Sequence, residues 1–210
     1  MDDQRLADEV DAFGGNWILT SKDCASGTDR IAEVAAAMPD VDVFVNVQGD
    51  EPEIQPSVID LVAKALILSD AEMSTVGTPI RDQWILNDPS CVKIVMATET
   101  GTESGAGQGR AVYFSRAAVP YRRDGVDATI LAAEPPIYWH HIGLYAYRTG
   151  FLDWFASQRP SLLEQTERLE QLRAIEAGKK IVVARVESAA PGIDTEADLV
   201  AFTQRWESRK

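Results

Sequence analysis

The stretch VFVNVQGDEPEI, residues 43–54, decides how the fold is assigned. Its first half belongs to an apolar segment over 41–47 that does not alternate with polar residues, which is typical of a strand in the middle of a covered parallel sheet. Its second half turns at a glycine and a proline, and it carries two adjacent carboxylates, Asp50 and Glu51. A parallel strand delivers such residues to the carboxyl edge of the sheet, where ligands bind in open α/β folds.

Helical and extended patterns alternate along the rest of the chain. Apolar residues at helical spacing predict a helix over 28–38, and a second helix begins at Pro56 and runs to residue 68. The other predicted elements are a helix ending at 13, strands over 17–20, 73–79 and 181–186, and helices over 150–156, 166–177 and 196–206. This order predicts an α/β fold with a doubly wound, mostly parallel sheet.

Residues 85–148 interrupt that alternation. Three strands are predicted there, over 93–98, 110–114 and 138–147, with no full helix between them. Short connections of this kind favour antiparallel pairing. We therefore expect one α/β domain over residues 1–210 that contains an inserted antiparallel region at about 85–148.

Composition excludes several classes of partner. The chain has 210 residues and a formal net charge of −13, from 33 acidic residues against 20 Lys and Arg. Such a surface repels nucleic acid and anionic lipid, so we expect neither as a partner.

The N-terminal residues lack the basic and apolar regions of a signal peptide. Cys24 and Cys91 lie far apart without a CxxC motif, and this favours a protein of the reducing cytoplasm.

Carboxylates follow two predicted strands. Asp50 comes after the strand at 41–47, and Asp194 comes after the strand at 181–186. Taken singly, Asp50 suits either a Mg²⁺ ligand or a solvated turn, and Asp194 is explained by capping of the helix that follows. Taken together they suggest a metal site, because Mg²⁺ is held by one or two carboxylates plus substrate phosphates.

Other polar residues are candidates for a binding site, although their patterns also fit ordinary structural or surface positions. Ser26 and Gly27 precede a helix, which suits either an anion site or an ordinary cap. His140 and His141 are adjacent in a strand, so at most one of them points into a site. Glu170 and Gln171 fall on the solvent face of a helix by pattern, and a local positive patch is formed by Arg116, Arg122 and Arg123.

Six segments together resemble one family. SGTDRIAEV, VNVQGDEP, YFSRAAVP, HIGLYAYR, LEQLRAIEAG and GIDTEADL occur in the order found in the 3-deoxy-manno-octulosonate cytidylyltransferase (CMP-Kdo synthetase) family, and the resemblance runs from residue 1 to about residue 205. It implies a nucleotide-diphospho-sugar transferase-like fold and a homodimer formed through the 85–148 region. It also implies the Mg²⁺-dependent reaction of CTP with 3-deoxy-manno-octulosonate (Kdo) to give CMP-Kdo and pyrophosphate, for lipopolysaccharide or capsule synthesis.

The resemblance assigns roles to individual residues. Asp50 and Asp194 are implied to coordinate Mg²⁺ at the reaction centre, and the residues implied to bind CTP are Ser26, Gly27 and Arg30. The residues implied to hold the sugar acid are Gln48, Arg116, Arg123, His141, Tyr145, Glu170 and Gln171.

The chain departs from the family pattern in two places. Cys24-Ala25 stands where the family has His-Gln, and nothing like the family's basic loop of the form PARxxSxRLPGKPL occurs, since MDDQRLADEV aligns just after the family's second strand. We therefore expect the sheet to lack one βα unit and a further strand, which would expose a sheet edge. Three hypotheses stay open: a CMP-Kdo synthetase, a catalytically weak or inactive remnant that retains sugar-acid binding or dimerisation, and a related nucleotidyltransferase for another acidic sugar.

Overall fold

The computed structural model describes residues 1–97, 108–189, 192–193 and 195–209. Two residues used in the sequence predictions, Thr98 and Asp194, therefore lie outside the described residues. The helices are α1 Gln4–Ala12, α2 Gly27–Ala36, α3 Pro56–Ile67, α4 Gln83–Asn87, α5 Ala128–Leu131, α6 Thr149–Ser157, α7 Leu162–Glu167, α8 Gln171–Glu176 and α9 Glu196–Glu207. The strands are β1 Val43–Asn46, β2 Met73–Pro79, β3 Lys93–Ala97, β4 Gln108–Ser115, β5 Trp139–Arg148 and β6 Ile181–Arg185.

The strands form one mixed sheet in the order β1-β5-β2-β6-β4-β3. β2 and β6 run parallel, with Met73 opposite Ile181 and Gly77 opposite Arg185. β3 pairs antiparallel with β4, and β4 pairs antiparallel with β6. The predicted α/β class, with its antiparallel excursion, is confirmed, and β3 and β4 extend the same sheet.

β1 lies at one edge of this sheet. All four of its residues are half-buried, and it is shorter than the predicted segment 41–47. The prediction of a strand in the middle of a covered sheet is therefore wrong. An edge strand has a ladder partner on one side, so even its apolar residues keep part of their surface exposed.

The chain folds as two compact units. The first unit comprises Met1–Phe44 and Tyr147–Lys179, and the second comprises Val45–Ala146 and Lys180–Lys210. In the first unit α2 packs against α6, around buried side chains that include Phe151, Leu152, Phe155 and Leu172. In the second unit the core is built from strands β2, β3, β4 and β6, and it includes Met73, Val76, Ile94, Phe114 and Val183.

Two predicted elements differ from the structure. Residues 17–20 do not form a strand, because their backbone pairs with a single residue: the Met1 amino group donates to the Ile18 carbonyl, and the Thr20 amide donates to the Met1 carbonyl. The predicted helix over 166–177 is two helices, α7 and α8. Arg168 adopts a left-handed conformation with φ 54°, which ends α7 and lets the chain change direction before Gln171.

Candidate active site

One face of β5 carries the densest group of predicted site residues in the second unit. Because side chains alternate along a strand, His141, Gly143 and Tyr145 point to the same face. The ring centroids of His141 and Tyr145 are 5.2 Å apart. The structure therefore brings together two of the residues predicted to bind the sugar acid.

Gln48 reaches the same face of β5 from the turn after β1. Its Nε2 atom donates to the Gly143 carbonyl at 3.2 Å. A Cβ atom at position 143 would lie 3.3 Å from that Nε2 atom, so glycine is what permits the close approach. Gln48 thus lies between the positions of His141 and Tyr145 along the strand.

His141 is buried and neutral. Only 8% of its surface is exposed, and its Nε2 atom lies 2.9 Å from the Thr75 hydroxyl oxygen. Burial, with a smaller contribution from His140, lowers the pKa of His141 to about 3. At neutral pH the imidazole therefore offers one donor and one acceptor nitrogen.

The two predicted carboxylate-binding arginines differ in how they are held. Arg116 Nη1 donates to the Pro89 carbonyl at 2.9 Å, whereas Arg123 is exposed in the loop after β4.

The buried Lys93 holds the loop that contains Pro89, because its ammonium donates to the carbonyls of Asp88 and Cys91. Lys93 was missed in the sequence, since nothing in its pattern distinguishes a buried lysine from an exposed one.

Asp50 is exposed in the turn that follows β1, as predicted. Its carbonyl accepts a hydrogen bond of 2.8 Å from the Ile193 amide. Asp194, its predicted partner in metal binding, lies outside the described residues. Among the described residues no group of three or more His, Cys, Asp or Glu side chains could hold a metal ion. An exposed carboxylate at this edge still suits Mg²⁺, which takes few protein ligands when substrate phosphates supply others.

Glu53 anchors the turn that carries Asp50. Its carboxylate accepts hydrogen bonds from Arg205 at 3.0 and 2.6 Å and forms an ion pair with Arg209 at 3.0 Å. The hydrogen bond from Arg205 is the main cause that lowers the pKa of Glu53. Glu53 was not singled out in the sequence, because its partners, Arg205 on α9 and Arg209 just after that helix, lie about 150 residues away.

In the first unit, the residues predicted to bind CTP lie at the start of α2. Ser26 is the N-cap, and its hydroxyl oxygen accepts from the Asp29 amide at 3.1 Å, whereas Gly27 is exposed. Arg30 is bound to protein groups: it donates to Thr20 and Ser21, and it forms an ion pair with Asp2. The capping interpretation of Ser26 is thus observed, and CTP binding by these residues stays a prediction.

Glu170 and Gln171 also lie in the first unit. A Glu170 carboxylate oxygen accepts from the Thr28 amide at 3.1 Å, so a predicted sugar-acid ligand caps the start of α2. Gln171 is 3% exposed, and its buried Nε2 atom has no hydrogen-bond partner among the described residues. The prediction that Gln171 faces solvent is wrong, because α8 starts at this residue and turns it inward.

Arg173 supports this region and was missed in the sequence. It is 4% exposed, donates to both carboxylate oxygens of Glu164 at 2.7 and 2.6 Å, and lies over the Phe155 ring at 3.8 Å. Burial is the largest single effect on the pKa of Arg173 and acts to lower it, but the hydrogen bond to Glu164 and the charges of Glu164, Asp29 and Glu170 together raise that pKa overall. The αL break at Arg168, which no pattern predicts, is what brings α8 to this position.

Comparisons with known proteins identify the family of the chain. The family model for cytidylyltransferases matches residues 1–181. A 3-deoxy-manno-octulosonate cytidylyltransferase from Rhodopirellula baltica is 58% identical over 210 residues, which cover all of this chain and 80% of that protein. The chain belongs to the 3-deoxy-manno-octulosonate cytidylyltransferase family. The enzyme of the same name from Pseudomonas fluorescens is 46% identical over 94% of this chain and 76% of its own length.

Solved structures agree with this membership of the 3-deoxy-manno-octulosonate cytidylyltransferase family. A CMP:2-keto-3-deoxy-manno-octonic acid synthetase complexed with CTP has a TM-score of 0.85 and 34% identity, covering all of this chain and 79% of that one. An inositol-1-phosphate CTP transferase from T. maritima, at TM-score 0.58 and 15% identity, shares the fold. Among the described residues, no helix is long and apolar enough to cross a membrane.

Proposed function

We propose that this chain transfers a cytidylyl group from CTP to Kdo and releases pyrophosphate. The observation that carries the proposal is the row of polar groups on one face of β5, where Gln48 reaches Gly143 beside His141 and Tyr145. An amide, a neutral imidazole and a phenol are donors and acceptors that suit a hydroxyl-rich sugar. The family membership supplies the substrate class.

The sugar acid also carries a carboxylate, which requires a cation in a chain of charge −13. We assign this role to Arg116 and Arg123, because a guanidinium donates two parallel hydrogen bonds to a carboxylate. The Pro89 carbonyl accepts from Nη1 of Arg116 at 2.9 Å and so holds this guanidinium in place. In the first unit, Gln171 carries a buried Nε2 atom without a hydrogen-bond partner among the described residues, which is consistent with the sugar-acid role that the family resemblance implies for it.

In the proposed reaction, the anomeric hydroxyl of Kdo attacks the α-phosphorus of CTP. A new P–O bond forms to the sugar as the hydroxyl proton is released to solvent, and the bond from the α-phosphorus to the pyrophosphate leaving group breaks. Asp50 and Asp194 would hold Mg²⁺, which supplies charge neutralisation at the phosphates when it is bound. Asp50 is suited to this task because it is exposed at the end of β1 and its backbone is fixed by Ile193.

The test is pyrophosphate release from this chain with CTP, Kdo and Mg²⁺. Asp50→Asn keeps the size of the side chain and removes its charge, so we expect release to fall by at least about a hundredfold. Asp60→Asn, an exposed position on α3, is the matched control and should retain full release. Equal rates in the two variants would refute the role of Asp50.

The alternative is a remnant that binds the sugar acid without turning it over. Calorimetry with Kdo alone separates the two functions. Binding of Kdo without any pyrophosphate release by the folded chain would favour the remnant, and release that depends on Asp50 would favour the enzyme.

We further propose that the chain forms a homodimer through the 85–148 region and works in the cytoplasm for lipopolysaccharide or capsule synthesis. Tyr121 is 87% exposed in that region, and Trp84, at its border, is 85% exposed. Exposed aromatic residues are common in protein interfaces. Cys24 and Cys91 do not form a disulfide, which suits a reducing compartment. Sedimentation of the chain alone and of Tyr121→Asp tests the dimer, since the variant should sediment as a monomer.

A further inference from the structure

Thr75 contacts His141 from the neighbouring strand β2. Thr75 is fully buried, and its hydroxyl oxygen has three polar neighbours. The Nε2 atom of His141 lies at 2.9 Å, the Leu144 carbonyl oxygen at 2.8 Å and the Ile142 carbonyl oxygen at 3.4 Å. One hydroxyl therefore serves an imidazole and a strand carbonyl at normal hydrogen-bond distances.

Counting protons decides which group donates. A threonine hydroxyl has a single proton, and a carbonyl oxygen accepts only. The Thr75 proton must point to the Leu144 carbonyl, because two facing lone pairs at 2.8 Å would repel. The contact between Thr75 and His141 is then a hydrogen bond only if Nε2 carries a proton and donates it.

The imidazole is also held in one orientation. The Phe114 ring packs against it edge-on, with centroids 5.2 Å apart and planes at 73°, and Tyr145 flanks it at 5.2 Å. The His141 backbone amide donates to the Val92 carbonyl at 2.8 Å, which fixes the strand beneath the ring. A half-turn of the ring would place a carbon against the Thr75 hydroxyl and lose the hydrogen bond.

We propose that Thr75 is a positioning residue that fixes His141 in the Nε2–H tautomer, so that Nδ1 presents a lone pair to a hydroxyl group of the sugar substrate. The first half stands on the geometry of the protein alone, and the second half rests on the proposed function. Among the described residues, no hydrogen bond engages Nδ1 of His141, so this acceptor is available. The consequence is specificity: a substrate hydroxyl donor is accepted at that position, and a group that can only accept is rejected.

The tautomer is measured directly by ¹⁵N NMR of the imidazole nitrogens in the free protein. The chain has two histidines, so the spectrum has two ring systems, and His140→Gln assigns them. We expect Nε2 of His141 to show the shift of a protonated nitrogen and Nδ1 that of an unprotonated one. The reverse pattern, or averaged shifts from two exchanging tautomers, would overturn the proposal.

Two variants test the part played by Thr75. Thr75→Ser keeps the hydroxyl and should keep the Nε2–H pattern, whereas Thr75→Val has nearly the same shape without an acceptor and should lose it. With Kdo as substrate, we expect Thr75→Val to raise KM for Kdo about tenfold with KM for CTP unchanged, and Thr75→Ser to restore the wild-type value. An unchanged Nε2–H pattern in folded Thr75→Val would refute the role of Thr75.

The two readouts also separate this inference from the proposed function. Nε2–H shifts in a chain that neither binds nor converts Kdo would leave the tautomer established and refute the substrate. An enzyme that converts Kdo but shows the shifts of an Nδ1–H tautomer would support the proposed substrate and refute the role of Thr75.

Discussion

Removing Arg173 should destabilise the first unit severely. Arg173→Met keeps the aliphatic bulk over Phe155 but leaves Glu164 as a buried carboxylate without its partner. Two short hydrogen bonds, at 2.7 and 2.6 Å, are lost at a pair whose side chains are only 4% and 11% exposed. Breaking one partner of a buried ion pair typically costs about 3–5 kcal/mol. For a chain of this size that corresponds to a fall of roughly 6–20 °C in Tm.

Urea unfolding followed by circular dichroism measures the loss, and two further variants make the result specific. Glu164→Leu combined with Arg173→Met should lose clearly less than the sum of the two single changes, because the double variant buries no unpaired charge. Lys180→Met breaks the exposed ion pair with Asp70 and should leave Tm unchanged. A loss below about 1 kcal/mol in Arg173→Met would refute the reasoning.

Two more predictions concern the face of β5. Gly143→Ala places a methyl group 3.3 Å from Gln48 Nε2, so it should raise KM for Kdo about two- to tenfold by displacing that amide. Gly150→Ala places its methyl group in open space and should leave KM for Kdo unchanged. Equal KM values in the two variants would argue against a role for Gln48. The lowered pKa of His141 predicts that stability falls as pH drops below 6.5, because the unfolded chain takes up a proton that the folded chain accepts only near pH 3. The free energy of unfolding should fall by about 2 kcal/mol by pH 5. His141→Gln should show a correspondingly flatter dependence of that free energy on pH in urea titrations. The same pH dependence in the wild type and the variant would contradict a buried, neutral His141.

The elements that sequence predicts well are those whose pattern is local. The strands at 73–79 and 181–186 and the helix starting at Pro56 are found within about a residue of their predicted bounds. The helix predicted over 166–177 failed because Arg168 takes a left-handed conformation that arginine rarely adopts. The strand predicted over 17–20 failed because a strand needs a partner, and partners are not encoded locally.

At the site, too, features set by local sequence were predicted and features set by long-range contacts were not. Gln48 and Asp50 were predicted from their position at the end of a strand, and the structure places both in the turn after β1. The state of His141 depends on Thr75, which is 66 residues away in the chain, and no spacing rule connects them. Long-range hydrogen bonds of this kind appear only once the strand order is known.

The anchoring of Glu53 by Arg205 of α9 and by Arg209, which follows that helix, has an evolutionary consequence. One carboxylate accepts both Arg205 and Arg209, so the turn that carries Asp50 and the last helix are tied by charge over about 150 residues of sequence. A lineage that loses the acid at 53 would leave two cations facing one another, and selection would then favour neutral residues at 205 and 209. These three positions should therefore change together among descendants of this gene, even though only one of them lies in the turn that carries Asp50.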